Sequence, residues 1–185
     1  MEIKKRKLLE VISFIVLFLG FSYFLFHVID FGIFVGKIGY FKYILIPFVT
    51  IFGSTLLTAS FIYPILLAFN QSGINIFLLA FLAGIGGAIG DLLFVLFGRK
   101  IKESTEREQF EKVRNFFERN KNSPFLSSLI FLYAAFFPLP NELMTLALGY
   151  LKYPLKKILI PLILGNALYY LILVLIGGSI WNLIF

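Results

Sequence analysis

Long apolar stretches separated by short charged segments constrain this chain more than any other feature. Two of them, residues 74–98 and 155–181, exceed the ~20 apolar residues that a helix needs to cross a hydrocarbon core of about 30 Å. The whole chain is 59% hydrophobic and only 15% charged, far from the composition of a soluble globular domain. The sequence therefore predicts an all-α integral membrane protein and not a soluble enzyme.

The basic residues give the chain a net charge of +7, and most of them lie at the ends of the apolar stretches. This placement is typical of residues that set membrane topology, whereas a nucleic-acid surface needs a folded basic patch. The chain has no cysteine, which excludes disulfides and thiolate chemistry. The glycines within residues 84–87 follow no strand and precede no Lys-Ser or Lys-Thr pair, as a nucleotide-binding loop would. No cofactor, metal site, nucleic-acid partner or enzyme activity is predicted.

The N-terminal residues 1–42 are predicted to form a retained transmembrane helix and a connection. Four basic residues at 4–7 precede the apolar residues 8–29, which places the N-terminus in the cytoplasm. A cleaved signal peptide would have a shorter apolar region and a small-residue cleavage site, but this stretch ends in Phe-His-Val-Ile-Asp. Residues 43–185 are then predicted to form the main membrane domain.

Two further apolar stretches contain residues that interrupt a helix. Residues 43–71 include Pro64, which removes an intrahelical hydrogen bond, so we expect a break near Tyr63. Residues 124–151 are interrupted near their centre, and at ~1.5 Å per residue neither arm is long enough to cross. Both stretches therefore predict helical hairpins. The expected tip residues are Pro64 in the first hairpin and Pro138, Pro140 and Asn141 in the second.

The distribution of lysines decides whether residues 124–151 cross the membrane or turn back. If they turn back, Lys152, Lys156 and Lys157 lie on the same side as the basic N-terminus and the central segment, residues 99–122. A full crossing would place these lysines outside, against the tendency of basic residues to stay in the cytoplasm. We therefore predict a re-entrant hairpin that enters from the cytoplasm.

By the same logic, residues 43–71 form a hairpin that enters from the outside, although their first arm, residues 43–62, is also long enough to span.

The central segment, residues 99–122, holds eight basic residues and places aromatic and aliphatic residues at helical spacing. It is predicted to be an amphipathic helix on the cytoplasmic surface of the cell membrane.

The two hairpins and the helices that follow them are similar to each other. In both halves a proline precedes a glycine by nine residues, and a Gly-Asp or Gly-Asn pair follows that glycine by seventeen or sixteen residues. The residues concerned are Pro64, Gly73, Gly90 and Asp91 in the first half and Pro140, Gly149, Gly165 and Asn166 in the second. Because the hairpins open to opposite sides, the sequence predicts an inverted repeat of a re-entrant hairpin and a transmembrane helix. Many secondary transporters have this arrangement, with a site near the midplane.

Three segments, GGAIGDLLFVLFGRK, FFPLPNELMTLALGYLKYP and LILGNALYYLILVLIGG, follow one another within residues 43–178. Together they resemble the DedA family, also called the VTT or SNARE-associated Golgi protein family. The second segment is most similar to the small YqaA-like branch, in which an acidic residue and a downstream glycine follow a Pro-x-Pro motif. The resemblance implies a protein that moves lipids, such as phospholipids or polyprenyl phosphates, across a membrane and contacts their phosphate head groups.

One difference from the family affects the expected cargo. Typical members carry arginines around the second proline motif, and here Tyr133, Ala135 and Asn141 occupy that region. The absence of these arginines favours a cationic cargo over an anionic one.

Glu142 and Asp91 are the predicted functional carboxylates. An ionisable side chain inside a membrane segment is costly unless it faces a cavity or a partner, so Glu142, beside a helix break, is expected to contact a head group or exchange protons. The alternative is that Glu142 caps the helix that begins at Leu143, whose N-terminal dipole favours a negative charge. For Asp91, a midplane transport site and a structural hydrogen bond are both open.

Small residues on the same helix face as Asp91 are predicted to let helices approach closely. The predicted helix-packing residues are Gly84, Gly87, Gly90, Gly165 and Asn166.

Arg99 is expected at the cytoplasmic interface. The pair His27 and Asp30 is expected to mark a helix end and not to act as a pH sensor.

The leading hypothesis is a lipid flippase or scramblase in which the hairpin tips meet near the midplane and Glu142 and Asp91 couple lipid movement to the proton gradient. The first alternative is a proton-coupled exporter of small cations or drugs, which the same carboxylates and the missing arginines favour. The second alternative is a membrane assembly scaffold that binds partner proteins through its glycine face and basic central segment. Membrane lipids are the expected partners, and a homodimer is left open.

Overall fold

The computed structural model describes residues 31–53, 56–104, 124–136 and 141–184, together with residues 115 and 119. Within these ranges every regular element is helical, as the sequence predicted. Several predictions concern residues outside the described ranges. These are the first transmembrane helix (residues 8–29), the pair His27 and Asp30, most of the central segment, and the hairpin residues Pro138 and Pro140.

The described part of the chain contains seven α-helices and one 3-10 turn. They are α1 (Phe31–Ile38), the 3-10 turn (Gly39–Phe41), α2 (Lys42–Phe52), α3 (Leu56–Gln71), α4 (Ile76–Ser104), α5 (Pro124–Phe136), α6 (Asn141–Tyr150) and α7 (Leu155–Ile184).

Three described segments are long and apolar enough to cross a membrane: Val35–Phe52, Ile76–Lys100 and Leu155–Gly177. The last two lie in α4 and α7, which have 29 and 30 residues. Both helices expose large apolar side chains such as Phe97 and Leu164, an arrangement that suits contact with lipid. The structure is therefore compatible with a multi-pass membrane protein, as the sequence predicted.

The helices α4 and α7 pack against each other in opposite directions and form the centre of the fold. Ala83 in the first half of α4 shares a buried apolar cluster with Val174 in the second half of α7. Val95 in the second half of α4 shares another cluster with Ile158 near the start of α7. The two helices are thus antiparallel, with one apolar cluster towards each end of the pair.

Glycines bring the shorter helices against α4 and α7. A Cβ atom on Gly86 of α4 would overlap the carbonyl oxygen of Pro47 in α2, and one on Gly149 of α6 would overlap the carbonyl oxygen of Val95 in α4. Gly165 of α7 lies in the same way against α5. Small residues allow such close backbone contacts between membrane helices, so glycine is required where these helices cross.

The first helix break does not lie at Pro64. The helix α3 continues through Pro64 without interruption, whereas α2 ends at Phe52 and is capped by Gly53. The prediction of a break near Tyr63 is therefore wrong. Helices in membranes tolerate proline because neighbouring helices and local adjustments satisfy the freed backbone groups, so a proline alone does not locate a break.

The limits of two other predicted segments also change. The helix α4 extends through Arg99 to Ser104, so the first residues of the central segment, residues 99–122, belong to this helix. The predicted connection before residue 43 includes the helix α1, whose Val35 is buried in the same apolar cluster as Ile46 of α2. Apolar composition located the helices, but it did not show where their polar ends stop.

The turns before α4 and α7 have the same geometry. Gly73 and Lys152 have positive φ angles of 81° and 55°, and each lies three residues before the helix that follows. The residues before them, Ser72 and Leu151, donate their N–H groups to carbonyl oxygens four residues earlier, at 3.0 Å and 2.9 Å. The sequence paired Gly73 with Gly149, whereas the turn geometry of Gly73 is similar to that of Lys152. A lysine in the left-handed region is uncommon, so counting glycines could not identify this turn.

We predict that Gly149→Ala lowers the stability of the protein. The added methyl would collide with the backbone of α4, and overpacking of this kind costs about 1–3 kcal/mol. Thermal unfolding in detergent measures the effect. Gly36→Ala is the matched control, since no atom lies within 4 Å of its added Cβ, and it should unfold at or above the wild-type temperature. Equal stability of the Gly149→Ala and wild-type proteins would contradict the close crossing of α4 and α6.

Candidate functional site

A carboxylate and an amide meet in the interior of the α4–α7 pair. Asp91 and Asn166 are buried, with 0% and 2% of their surfaces exposed. Asp91 lies well inside the apolar segment Ile76–Lys100, and Asn166 lies near the middle of Leu155–Gly177. Neither group is close to the end of its segment, so its polar contacts must come from the protein.

Asn166 supplies the hydrogen bond that Asp91 needs. Its Nδ2 atom donates to Asp91 Oδ2 at 2.8 Å and to the carbonyl oxygen of Leu162 at 3.0 Å. Its Oδ1 atom accepts a long hydrogen bond from Asn141 Nδ2 at 3.5 Å. The second carboxylate oxygen, Asp91 Oδ1, is buried and accepts no hydrogen bond from the described residues. The side chain therefore keeps one polar atom available for a proton or a ligand.

Gly87 makes the contact between these side chains possible. It lies one helical turn before Asp91, and a Cβ atom there would stand 3.1 Å from both Asn166 Oδ1 and Tyr170 Cε2. These distances are tighter than ordinary van der Waals contact. A larger residue at this position would push Asn166 away from Asp91.

The beginning of α6 brings a second carboxylate to the site. Glu142 lies in the first turn of α6, where the helix dipole favours a negative charge, and it interacts electrostatically with Asp91. Thr145 is fully buried, and its hydroxyl donates to the carbonyl oxygens of Asn141 and Glu142 at 2.9 Å and 3.2 Å. We call Asp91, Asn141, Glu142 and Asn166 the polar cluster.

Tyr170 connects this region to the end of α2. Its hydroxyl lies 3.2 Å from the position that a Cβ atom of Gly53 would take, at the end of α2. It also interacts electrostatically with Asp91. The end of α2 and the start of α6 thus meet α7 one helical turn apart, Gly53 at Tyr170 and Asn141 at Asn166.

The other predicted residues lie in different places. Arg99 donates from Nη2 to the carbonyl oxygen of Tyr153 at 2.8 Å, in the turn between α6 and α7. Gly84 packs against Ala167 of α7, and Gly90 is buried within α4. Pro64 is part of α3 and does not belong to the polar cluster. Arg99 therefore joins the end of α4 to the turn before α7. The sequence predicted only that Arg99 lies at the cytoplasmic interface and did not predict this contact.

Sequence reasoning identified all four residues of the polar cluster but gave no role to Tyr170. The tyrosine is one helical turn from Asn166, and it occupies the same position in α7 as Asp91 does in α4, the sixteenth residue of each helix. The predicted repeat pairs Asp91 with Asn166, whereas counting from the first residue of each helix pairs Asp91 with Tyr170.

The chain matches no protein-family model, no curated protein and no solved structure at the level taken as significant. The resemblance to the DedA family therefore rests on the sequence motifs alone and stays a prediction.

We predict that the Asp91–Asn166 hydrogen bond contributes about 0.5–2 kcal/mol to stability, the range expected for polar contacts between membrane helices. A double-mutant cycle of Asp91→Ala and Asn166→Ala, followed by unfolding in detergent, isolates this contribution. The double variant should lose less stability than the two single losses added together, because either substitution alone already breaks the bond. Strict additivity would show that the two side chains do not interact.

Proposed function

We propose that the chain is a membrane lipid transporter in which two re-entrant hairpins meet at the polar cluster. The observation that carries the proposal is the buried Asp91–Asn166 pair, which lies inside two apolar helices of membrane length and next to the start of α6. Ionisable groups at such depth are rare and mark transport pathways or proton relays. The sequence resemblance to the DedA family supports lipids as the cargo.

The contacts of α5 and α6 support a hairpin that enters and leaves on one side. Leu126, near the start of α5, shares an apolar cluster with Ile158, near the start of α7. The turn after α6 is held by Arg99 near the end of α4, through the carbonyl oxygen of Tyr153. Since α4 and α7 are antiparallel, the end of one and the start of the other lie on the same side. The hairpin arms share that side, and α6 begins beside Asn166.

The contacts of α2 and α3 support a second hairpin at the opposite end. Lys42 Nζ donates to the carbonyl oxygen of Ser72 at 3.1 Å, which joins the beginning of α2 to the end of α3. The far end of α2, at Gly53, lies beside Tyr170 in α7. Both arms thus occupy the half of the α4–α7 pair that the second hairpin leaves uncovered.

Equivalent positions in α4 and α7 support an inverted repeat. Counted from the first residue of each helix, Asp91 corresponds to Tyr170 and Gly87 corresponds to Asn166. The contact between Asn166 and Asp91 therefore has its counterpart in the contact between Gly87 and Tyr170. A two-fold axis in the membrane plane would relate these two contacts, as in transporters whose repeats have opposite topology.

In the proposed cycle the lipid head group enters between the hairpin ends and meets the polar cluster, while the acyl chains stay in the surrounding lipid. Glu142 exchanges protons with this space, and Asp91 exchanges them through the cluster, which couples lipid movement to the proton gradient. The hairpin of α5 and α6 opens to the cytoplasm and that of α2 and α3 to the outside, following the distribution of lysines.

A proton-coupled exporter of small cations is a second candidate. Among the described residues, the groups that act electrostatically on Asp91 or bond to it include Asn166 and Glu142, neither of which is a cation. An acidic site of this kind would attract a cationic cargo. Resistance profiles of cells with and without the protein separate the two candidates, because lipid transport produces envelope defects without selectivity among drugs.

We predict that Glu142→Gln slows the exchange of fluorescent phospholipids between leaflets of reconstituted vesicles at least about tenfold. The amide keeps the shape of the side chain but cannot carry the charge or the exchangeable proton. Lys156→Gln is the matched control, since it removes one charge from an exposed side chain of α7 away from the cluster, and its rate should equal that of the wild type. Equal exchange by the wild-type, Glu142→Gln and protein-free vesicles would refute lipid transport.

Topology can be tested directly because the chain has no cysteine. We predict that Lys156→Cys reacts with a membrane-impermeant maleimide only in inside-out vesicles, and that Lys37→Cys reacts in intact cells. Both lysines are exposed, so each variant should label readily on its own side. Labelling of Lys156→Cys from outside the cell would mean that α5 and α6 cross the membrane, which would remove the hairpin from the proposal.

A further inference from the structure

The buried carboxylate of Asp91 needs a positive charge that its described surroundings do not supply. The charged group that acts on it in the described part of the chain is Glu142, which has the same sign. The residues between α5 and α6 are Phe-Pro-Leu-Pro, which carry no charge, and the prolines have no N–H group to donate. A charge inside a membrane segment is costly without a partner of opposite charge. The balancing charge is therefore expected from a proton or from a bound cation.

The two carboxylates of the polar cluster differ in how their charges are compensated. Glu142 lies in the first turn of α6, where the helix dipole favours a negative charge. Asp91 is the sixteenth of the 29 residues of α4, far from both ends of its own helix. Its Oδ2 atom accepts a hydrogen bond from Asn166, whereas Oδ1 is fully buried and has no donor among the residues that the structure describes. Asp91 Oδ1 is thus the atom that an ion would contact.

The side chains of the polar cluster supply oxygen ligands. Besides Asp91 Oδ1 they are the carboxylate of Glu142 and the amide oxygens of Asn141 and Asn166. The Asn166 oxygen accepts only a long hydrogen bond of 3.5 Å. Carboxylate and amide oxygens are the ligands of hard cations, and transporters built from inverted repeats bind Na⁺ at helix ends near the midplane. The described side chains include no group of three or more His, Cys, Asp or Glu residues, so the cluster fits a monovalent cation better than a transition metal.

Close packing around Asn166 limits the size of the ion. A Cβ atom on Gly87 would stand only 3.1 Å from Asn166 Oδ1. One residue earlier, at Gly86, a Cβ atom would overlap the carbonyl oxygen of Pro47 in α2. Packed interiors of this kind expand only at a cost, so the smaller Na⁺ is favoured over K⁺.

We propose that the polar cluster binds one Na⁺ ion at Asp91 Oδ1, with the Glu142 carboxylate as a further ligand, and that Na⁺ and a proton compete for this site. The proposal rests on the proposed function and deepens it, because it names the ion that exchanges with the proton during lipid movement. Binding of Na⁺ balances the charge of Asp91 and gives its second carboxylate oxygen a partner.

Few other titratable groups face this site from the helices packed against α4. Those that interact with Asp91 in the described structure are Glu142 of α6 and Tyr170 of α7. The helix α2 meets α4 at Gly86 through Pro47 and Thr50, which do not titrate. Competition between Na⁺ and the proton is therefore expected to follow the carboxylates.

Thermal unfolding of the purified protein in detergent tests the site without any lipid transport. At equal ionic strength, Na⁺ should raise the unfolding temperature above the values in K⁺ and in choline, because an ion that binds only the folded state stabilises it. Asp91→Asn keeps an oxygen that accepts from Asn166 but loses the charge, and its unfolding temperature should be the same in all three salts. Lys156→Gln is the matched control, since it changes the net charge by the same amount on an exposed side chain, and it should keep the full response to Na⁺.

The pH dependence and direct binding give independent readouts on the wild-type protein. Where protons compete, the half-saturating Na⁺ concentration should rise about tenfold for each unit by which the pH falls. Radioactive Na⁺ should bind at one ion per chain, and K⁺ should displace it at least about tenfold more weakly than unlabelled Na⁺ does. These measurements decide the question even if Asp91→Asn does not fold.

Three results would overturn the proposal. They are equal unfolding temperatures of the wild type in all three salts with no Na⁺ bound, a response to Na⁺ that persists in Asp91→Asn, and a half-saturating concentration that does not change with pH. Binding and transport fail separately. Na⁺ binding without lipid exchange in vesicles would support the ion site and refute the transporter, whereas lipid exchange without Na⁺ binding would refute the ion site and leave the transporter standing.

Discussion

Hydrocarbon supplies no hydrogen bonds, and the described structure is organised around the need to satisfy the buried carboxylate of Asp91 from within the protein. Asn166 donates to one carboxylate oxygen from the neighbouring helix, and Gly87 leaves the space that the amide needs. These contacts require α4 and α7 to be antiparallel and close together. The two apolar clusters supply that packing, since each of them takes residues from both helices. The polar pair and its apolar surroundings therefore depend on each other.

The short helix α6 also depends on contacts with the long helices. The ten residues of α6 extend over only about 15 Å, half of a hydrocarbon core, so both of its ends need partners in the protein. Gly149 lies against the backbone of Val95 at one end, and Asn141 reaches Asn166 at the other. Thr145 donates its buried hydroxyl to the first carbonyl oxygens of the helix. Every polar group of α6 named here thus contacts another helix or the backbone of α6 itself.

Apolar run length predicted the long helices and the all-α fold, because about twenty apolar residues have few stable alternatives in a membrane. The cluster residues Asp91, Glu142 and Asn166 could also be identified, since polar groups stand out in such runs. The first helix break could not, because Pro64 is compatible with a helix whose neighbours satisfy the backbone. The left-handed turn at Lys152 could not be predicted either, because residues other than glycine rarely have a positive φ angle. Whether a helix continues through a proline, and where a turn forms, depends on contacts with residues far away in the sequence. Local composition gives no information on these contacts.

The helices α4 and α7 carry different chemistry at equivalent positions. Asp91 and Tyr170 are each the sixteenth residue of their helix. The end of α2, at Gly53, meets the aromatic ring of Tyr170, whereas the start of α6, at Asn141, meets the amide that donates to the Asp91 carboxylate. Glu142 adds a second carboxylate on the side of α6. In the transporter that we propose, polar contacts on one side of the α4–α7 crossing and an aromatic contact on the other suit an amphipathic cargo, which has both a head group and a chain, better than a small ion.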